Sequence, residues 1–251
     1  MLADEGRRRF EGTGVKVGAG SRGHFASLNH QGRVADAAEV ICVALAGAAH
    51  DDDRRALTSG LGSYKDILRQ LRRLSGSREV FVGPVGFSPT FDSWSAPGHG
   101  VGVRAAWRWA HRRQATVFGA AWTVASIAAL VPLGPTRVCL AAGDTGALEG
   151  SARSAYPNLS ALRFLGPLRG GPVGVVSSGE RIAGLRGNDA TVLALMADDP
   201  VKLGAAGSRV AVWSGSPLGR RELDVAGEEV PSPSIVVFGQ SGDPVASMGG
   251  S

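Results

Sequence analysis

The sequence is poor in cysteine and contains no C-x-x-C pair. Its 251 residues include two cysteines, so a cysteine-based zinc site cannot be built. Cys42 and Cys139 both fall inside apolar runs, where we expect small core side chains rather than redox thiols. No other pattern requires a bound group, and we predict neither a metal nor a cofactor.

Long apolar runs and lysine are also scarce. No stretch approaches 18 apolar residues and the N-terminus has no apolar signal core, so we predict no membrane-spanning helix and a cytoplasmic protein. The net charge is +5, but only three of the 27 basic residues are lysine. We interpret this skew as coding bias. It weighs against a nucleic-acid partner, although arginines and tryptophans alternate in Val103–Arg113.

The clearest fold signal is Thr116–Val131 together with Arg137–Ala141. Apolar residues in the first segment recur at the spacing of a buried helical face, and Gly134 and Pro135 follow it as helix terminators. The second segment is a short continuous apolar run, which is typical of a strand covered on both faces. Helix, turn and strand together predict the αβ half of a βαβ unit.

Strands and helices alternate as far as residue 170. The strand predictions, each approaching a helical segment, are residues 15–18, 40–45, 79–86 and 137–141. Alternation of this kind predicts a parallel sheet, here a partial (β/α)8 TIM barrel of about four βα units. Short strands with turn signals follow, so we predict a partial-barrel α/β domain at 1–170, a small all-β, β-sandwich-like domain at 171–240 and a disordered tail at 241–251.

Two motifs allow more than one interpretation. Gly18, Gly20 and Gly23 form the G-x-G-x-x-G spacing of dinucleotide-binding turns, but Glu39 precedes the next strand instead of ending it, which favours a plain glycine-rich loop. His50 followed by three aspartates could form part of a pocket or a metal site. The aspartates could equally cap the next helix, which we favour.

Several segments resemble the bacterial D-apionate lactonase family. The best match is R-Q-A-T-V-F-G-A-A-W-T-V-A-S-I-A-A, which begins at Arg113. Weaker likenesses lie in Val15–Asn29, Val40–Asp53, Val82–Phe91 and the β-module after residue 170. The resemblance covers most of this chain but only the C-terminal part of the family's length. It implies a glycosidase-like TIM barrel followed by a β-domain.

The resemblance also implies a function and a set of site residues. It predicts a sugar-acid lactone hydrolase, with a sugar lactone or carbohydrate as the small-molecule partner. In the family pattern the strand after the main helix runs into a glutamate, which is absent near Ala142. Only Asp144 could substitute for it, from a shifted position, and we predict Asp144 and His50 as catalytic residues. For substrate binding we predict Asp52, Asp92 and Trp94.

The missing glutamate leaves a second interpretation open. A diverged member would have weak activity or none. Alternatively, the chain is a non-catalytic carbohydrate-binding or assembly module, whose barrel is completed by a partner chain or a second copy. Asp144-Thr145-Gly146 also matches the loop of aspartic proteases, but that chemistry needs a second such loop or a symmetric dimer. The sequence has no second loop of this kind, and its fold signals are βα rather than all-β.

Overall fold

The fold contains two β-sheets, described from a computed structural model. It describes residues 2–21, 25–30, 38–47, 53–87, 113, 116–135, 137–140, 161–162, 164–168, 171–179, 181–203, 209–214, 219–224 and 229–239. Contacts divide the chain into two units, residues 1–110 with 133–141, and residues 111–132 with 142–251. The predicted domain boundaries at 170 and 240 stay predictions, and the predicted tail lies outside the described residues.

The first unit is built on a four-stranded parallel sheet. Its helices are α1 (Leu2–Arg9), α2 (Phe25–His30), α3 (Arg54–Gly60) and α4 (Ser63–Ser75). Its strands are β1 (Gly18–Ser21), β2 (Val40–Ala46), β3 (Glu79–Gly86) and β4 (Arg137–Leu140). Neighbouring strands pair in parallel in the order β1-β2-β3-β4, which confirms the predicted parallel sheet.

Helix α4 packs on β2 and β3 through one apolar stripe. Tyr64, Leu68 and Leu71 are buried at helical spacing, while the arginines of the helix, Arg69, Arg72 and Arg73, are exposed. One face of the sheet meets this stripe with valines and Ile41 that are 0–1% exposed. The pattern is that of a helix covering one face of a sheet, as in a βα unit.

Strand β1 lies three residues later than predicted, because the glycines belong to the strand. A Cβ on Gly20 would overlap the backbone carbonyl of Cys42 on β2, and one on Gly18 would lie 3.1 Å from the Cys42 Sγ. Glycine usually weakens a strand, so its presence indicates close approach of another backbone. Two glycines of the G-x-G-x-x-G motif therefore bring β1 against β2; Gly23 lies outside the described residues.

Strand β4 is not covered on both faces as predicted. Arg137 and Cys139 are exposed, and Cys42 on β2 is partly exposed. The expectation that both cysteines are core residues is therefore wrong for Cys139. The physical reason is position: in the described part of the sheet β4 is an edge strand, and an apolar run reports a strand without reporting its place in the sheet.

The second unit contains helix α5 (Val117–Leu130) and an antiparallel six-stranded sheet. In chain order the strands are β5 (Gly174–Ser178), β6 (Ile182–Arg186), β7 (Ala190–Leu195), β8 (Val201–Lys202), β9 (Arg209–Ser214), β10 (Gly219–Asp224), β11 (Glu229–Val230) and β12 (Ser234–Gly239). The sheet order is β10-β9-β12-β7-β6-β5, and β8 pairs with β11. The described strands after residue 170 thus confirm the predicted β-domain.

Helix α5 forms as predicted but packs elsewhere. Thr116 caps it by accepting a hydrogen bond from the Gly119 N–H at 3.1 Å, and Gly134 beyond its end has a φ of +59°. Instead of the parallel sheet, the helix contacts β5, β6, β7 and β12. Since 12 of its 14 residues are buried, its sequence carries no polar face that could indicate the partner.

The two faces of the six-stranded sheet are covered differently. One face forms a cluster with the β8–β11 pair; its buried members are Leu193, Leu195, Val210, Val212, Val230 and Val236. Because this cluster contains no α5 residue, α5 covers the opposite face, which includes Val192, Ala194, Ile235 and Val237. The sheet therefore lies between a helix and a small β-ribbon.

Candidate active site at the carboxyl edge of the parallel sheet

The strand order decides which edge of the parallel sheet carries the site. Four strands paired in chain order, without a reversal, follow the singly wound topology of a (β/α)8 barrel. A doubly wound dinucleotide fold would place its first strand inside the sheet. In barrels of this kind the chemistry lies in the loops that follow the carboxyl ends of the strands.

Three of the described strands end at this edge. β2 ends at Ala46, β3 at Gly86 and β4 at Leu140, and each is paired with the next. The N–H of Gly47 donates to the carbonyl of Gly86 at 2.8 Å, so the exits from β2 and β3 are held together. Phe87, just past β3, is 1% exposed and anchors the start of its loop.

All five predicted site residues follow these ends. His50 and Asp52 come after β2, Asp92 and Trp94 after β3, and Asp144 after β4. The residues themselves lie outside the described part of the chain, so their mutual geometry stays a prediction. Strands in a sheet are about 4.8 Å apart, so β2 and β4, with β3 between them, are separated by roughly 10 Å.

One of the three aspartates after His50 has a structural role. The Asp53 carboxylate accepts a hydrogen bond from the Arg55 N–H at 2.9 Å and caps α3. A side-chain oxygen at this position satisfies a helical N–H that would otherwise lack a partner. The capping interpretation thus holds for Asp53, while Asp52 remains a candidate for the pocket.

The face of the parallel sheet away from α4 carries a row that the sequence analysis did not single out. Register aligns Cys42, Phe81 and Arg137 on neighbouring strands, and the Arg137 guanidinium lies 5.2 Å from the centre of the Phe81 ring. This is cation–π distance. In the sequence, the only sign of this contact is that Arg137 begins a predicted strand. Basic residues are too common at strand ends for this to identify a site.

Burial raises the pKa of the Cys42 thiol. A raised pKa lowers the thiolate fraction at any given pH, and the thiolate is the reactive species. Neither cysteine was assigned a catalytic role, and the raised pKa of Cys42 fits an inert side chain. Among the described residues, no group of three histidines, cysteines or acids could hold a metal ion.

We expect alkylation to distinguish the two thiols. In the native chain at neutral pH, exposed Cys139 should react with iodoacetamide well before Cys42, because Cys42 is partly buried and largely protonated. In Cys139→Ser the remaining labelling should be slow and should accelerate as pH rises. Peptide mass spectrometry measures both rates, and equal rates at neutral pH would contradict the assignment.

A surface cavity of about 870 Å³ lies at the other end of the parallel sheet. It is lined by α1 and by residues that precede β1 and β2, including Arg7, Lys16 and Glu39. Lys16 pairs with Glu79, and the Glu39 carboxylate accepts from the Val17 N–H at 3.1 Å. Charges already paired at the amino end of a barrel sheet indicate stability rather than catalysis, so we keep the carboxyl edge as the site.

A family model described as D-apionate lactonase, TIM barrel domain, matches residues 2–170. The chain belongs to the D-apionate lactonase family. This match confirms the resemblance drawn from the sequence, and with the parallel sheet it confirms the fold class, a partial (β/α)8 barrel followed by a β-domain. The fold is that of a carbohydrate-processing hydrolase family. No curated protein matches the chain.

Three glycosidase structures are similar to the chain at low identity. CelM2, a bifunctional glucanase-xylanase from a metagenome library, has a TM-score of 0.47 at 11% identity, over 86% of this chain and 46% of its own. A family 44 xyloglucanase from Paenibacillus polymyxa has a TM-score of 0.44 at 9% identity, over 86% and 49%. A family 5 glycoside hydrolase from Bacteroides vulgatus has a TM-score of 0.29 at 12% identity, over 80% and 62%.

The chain therefore spans about half the length of the first two structures. Likenesses this weak indicate nothing about activity. In the described ranges no helix is long and apolar enough to cross a membrane.

Proposed function

We propose that the chain hydrolyses a sugar-acid lactone, with slow turnover. Two observations support this: membership of the D-apionate lactonase family over residues 2–170, and the pairing of β2, β3 and β4 in chain order. That pairing sets the carboxyl ends of the three strands at one edge, and His50, Asp92 and Asp144 follow those ends in the sequence. The roughly 10 Å between β2 and β4 leaves room for a single sugar ring.

The proposed reaction is attack of water on the lactone carbonyl. Asp144 or His50 takes a proton from the water as its oxygen bonds to the carbonyl carbon. The tetrahedral intermediate then collapses, the ring C–O bond breaks and the ring oxygen is protonated, giving the open hydroxy acid. Asp52 and Asp92 bind sugar hydroxyls, and Trp94 stacks on the apolar face of the ring.

Loss of either proposed base should be visible in the rate. We expect Asp144→Asn or His50→Ala to lower kcat by about 100-fold or more, the range of general-base contributions. The assay is opening of D-apionate lactone, followed by proton release at constant pH. Asp66→Asn is the matched control, since that carboxylate lies on the exposed face of α4 and pairs only with Arg69 among the described residues. If both base variants keep full activity, the proposed site is wrong.

Ala142 gives a second test, because the family pattern has a glutamate near this position. In Ala142→Glu we expect hydrolysis to increase, by about tenfold or more, since a carboxylate is restored beside the reacting carbonyl. Ala142→Gln controls for side-chain size without the charge. An increase with glutamate alone supports the hydrolase.

The absence of that glutamate also favours a second candidate function, a non-catalytic carbohydrate-binding or assembly module completed by a partner chain. Under that hypothesis Ala142→Glu changes no rate. Sugar acids should still bind, and calorimetry should give the same affinity for the native chain and for Ala142→Glu.

A further inference from the structure

A row of side chains crosses the six-stranded sheet and ends differently at its two edges. The register aligns one residue from each of five strands, on the face that α5 covers: Val175, Leu185, Val192, Val237 and Ala211. At the β10 edge the register partner of Ala211 is Glu222. At the β5 edge the row ends on a valine.

At the β5 edge the side chains of this row are no longer buried. Leu185, Val192 and Val237 are 3%, 0% and 1% exposed, whereas Val175, the next residue in the same row, is 42% exposed. It is among the few large apolar side chains that the described part of the protein leaves exposed. An apolar row that continues to a strand edge provides a surface that a further strand would bury.

The two edge strands also differ in charge. β10, with the sequence G-R-R-E-L-D, carries four charged residues, and β5, with the sequence G-V-V-S-S, carries none. Charges on an edge strand prevent pairing with another chain, and an uncharged edge lacks that protection. Among the described strands β5 pairs with β6 alone, and four of its five residues are exposed, as expected of an edge strand that another strand could pair with.

We propose that β5 is a self-association edge, where two copies of this chain pair their β5 strands antiparallel. A two-fold axis perpendicular to the sheet, midway between the two Val175 residues, sets their side chains opposite each other on one face. The contact joins two six-stranded sheets into one continuous sheet. It has no part in the proposed lactone hydrolysis and does not depend on it.

A second copy fits this edge better than a different protein. A short uncharged strand has no ionic group with which to select a partner, whereas antiparallel pairing with itself is closed by symmetry and leaves no free edge at the contact. The strand is five residues long, so the interface is small and the dimer weak.

The test is sedimentation of the 251-residue chain across roughly 1–100 µM, the range of weak transient interfaces. We expect a monomer–dimer equilibrium. Val175→Lys should weaken the dimer about tenfold or more, because two like charges would face each other. Val175→Thr keeps the branched shape and should weaken the dimer less than Val175→Lys. It provides a second test if the lysine variant does not fold.

Leu162→Lys is the matched control. Leu162 is 43% exposed, as exposed as Val175, but it lies in no strand of the described part. It should leave the dimer unchanged. A chain that stays monomeric over the whole range, a dimer unaffected by both Val175 variants, or one weakened equally by Leu162→Lys overturns the proposal. Assemblies larger than a dimer also overturn it, since a two-fold contact closes.

Discussion

Replacing Trp122 with alanine should cost about 3–5 kcal/mol of unfolding free energy, the range for removing a large buried aromatic side chain. Trp122 is 1% exposed and is the largest fully buried side chain in the described core. It lies in α5, a helix with no exposed face to absorb the change. Cavities in such a helix collapse poorly, and the cost rises with the volume left empty.

The strands that are destabilised in Trp122→Ala show which sheet α5 packs on. Because the helix contacts β6, β7 and β12, amide hydrogen exchange in those strands should accelerate in the Trp122→Ala chain. Acceleration confined to β2 and β3 would mean that α5 packs on the parallel sheet, as the sequence pattern had predicted. Ser126→Ala is the control in the same helix.

Ser126 is fully buried, and within the described part of the protein its hydroxyl has no hydrogen-bond partner. Replacing it with alanine removes a buried polar group and introduces a better helix former, so stability should stay the same or rise. A loss as large as that of Trp122→Ala would show that any change in this helix unfolds the chain, and would contradict the cavity explanation.

Gly83→Ala should be strongly destabilising, at about 2–5 kcal/mol from strain and overpacking combined. Gly83 has a φ of +155°, which side chains rarely adopt. An added Cβ would lie 2.6 Å from both the Cβ and the carbonyl oxygen of Cys139 on β4. One methyl group therefore forces β3 and β4 apart.

The damage should extend to function, because Asp92 follows β3 and Asp144 follows β4. We expect a lower melting temperature together with loss of any lactone hydrolysis. Gly60→Ala is the matched control: Gly60 ends α3, nothing lies within 4 Å of its added Cβ, and stability should be unchanged or slightly higher. Equal melting temperatures for the two variants would contradict the close approach of β3 and β4.

The candidate site shows where sequence reasoning stops. The positions of His50 and Asp144 after strands could be predicted from short apolar runs alone, since β2 and β4 begin and end within a residue of the prediction. Arg137 and Phe81 were missed because their contact depends on strand register, which no local pattern encodes. Asp53 could be given two roles, and only its hydrogen bond to Arg55 decided between them.

By itself the sequence determined several of the elements and indicated the family. Periodicity and terminators placed α5, and continuous apolar runs placed β2, β3 and β4, because these signals are local. Only the tertiary structure decided that α5 covers the six-stranded sheet, that Gly18 and Gly20 belong to a strand, and that β4 leaves Cys139 exposed. The reason is physical: an apolar pattern states how much surface a segment must bury, and nothing in it states which partner will bury it.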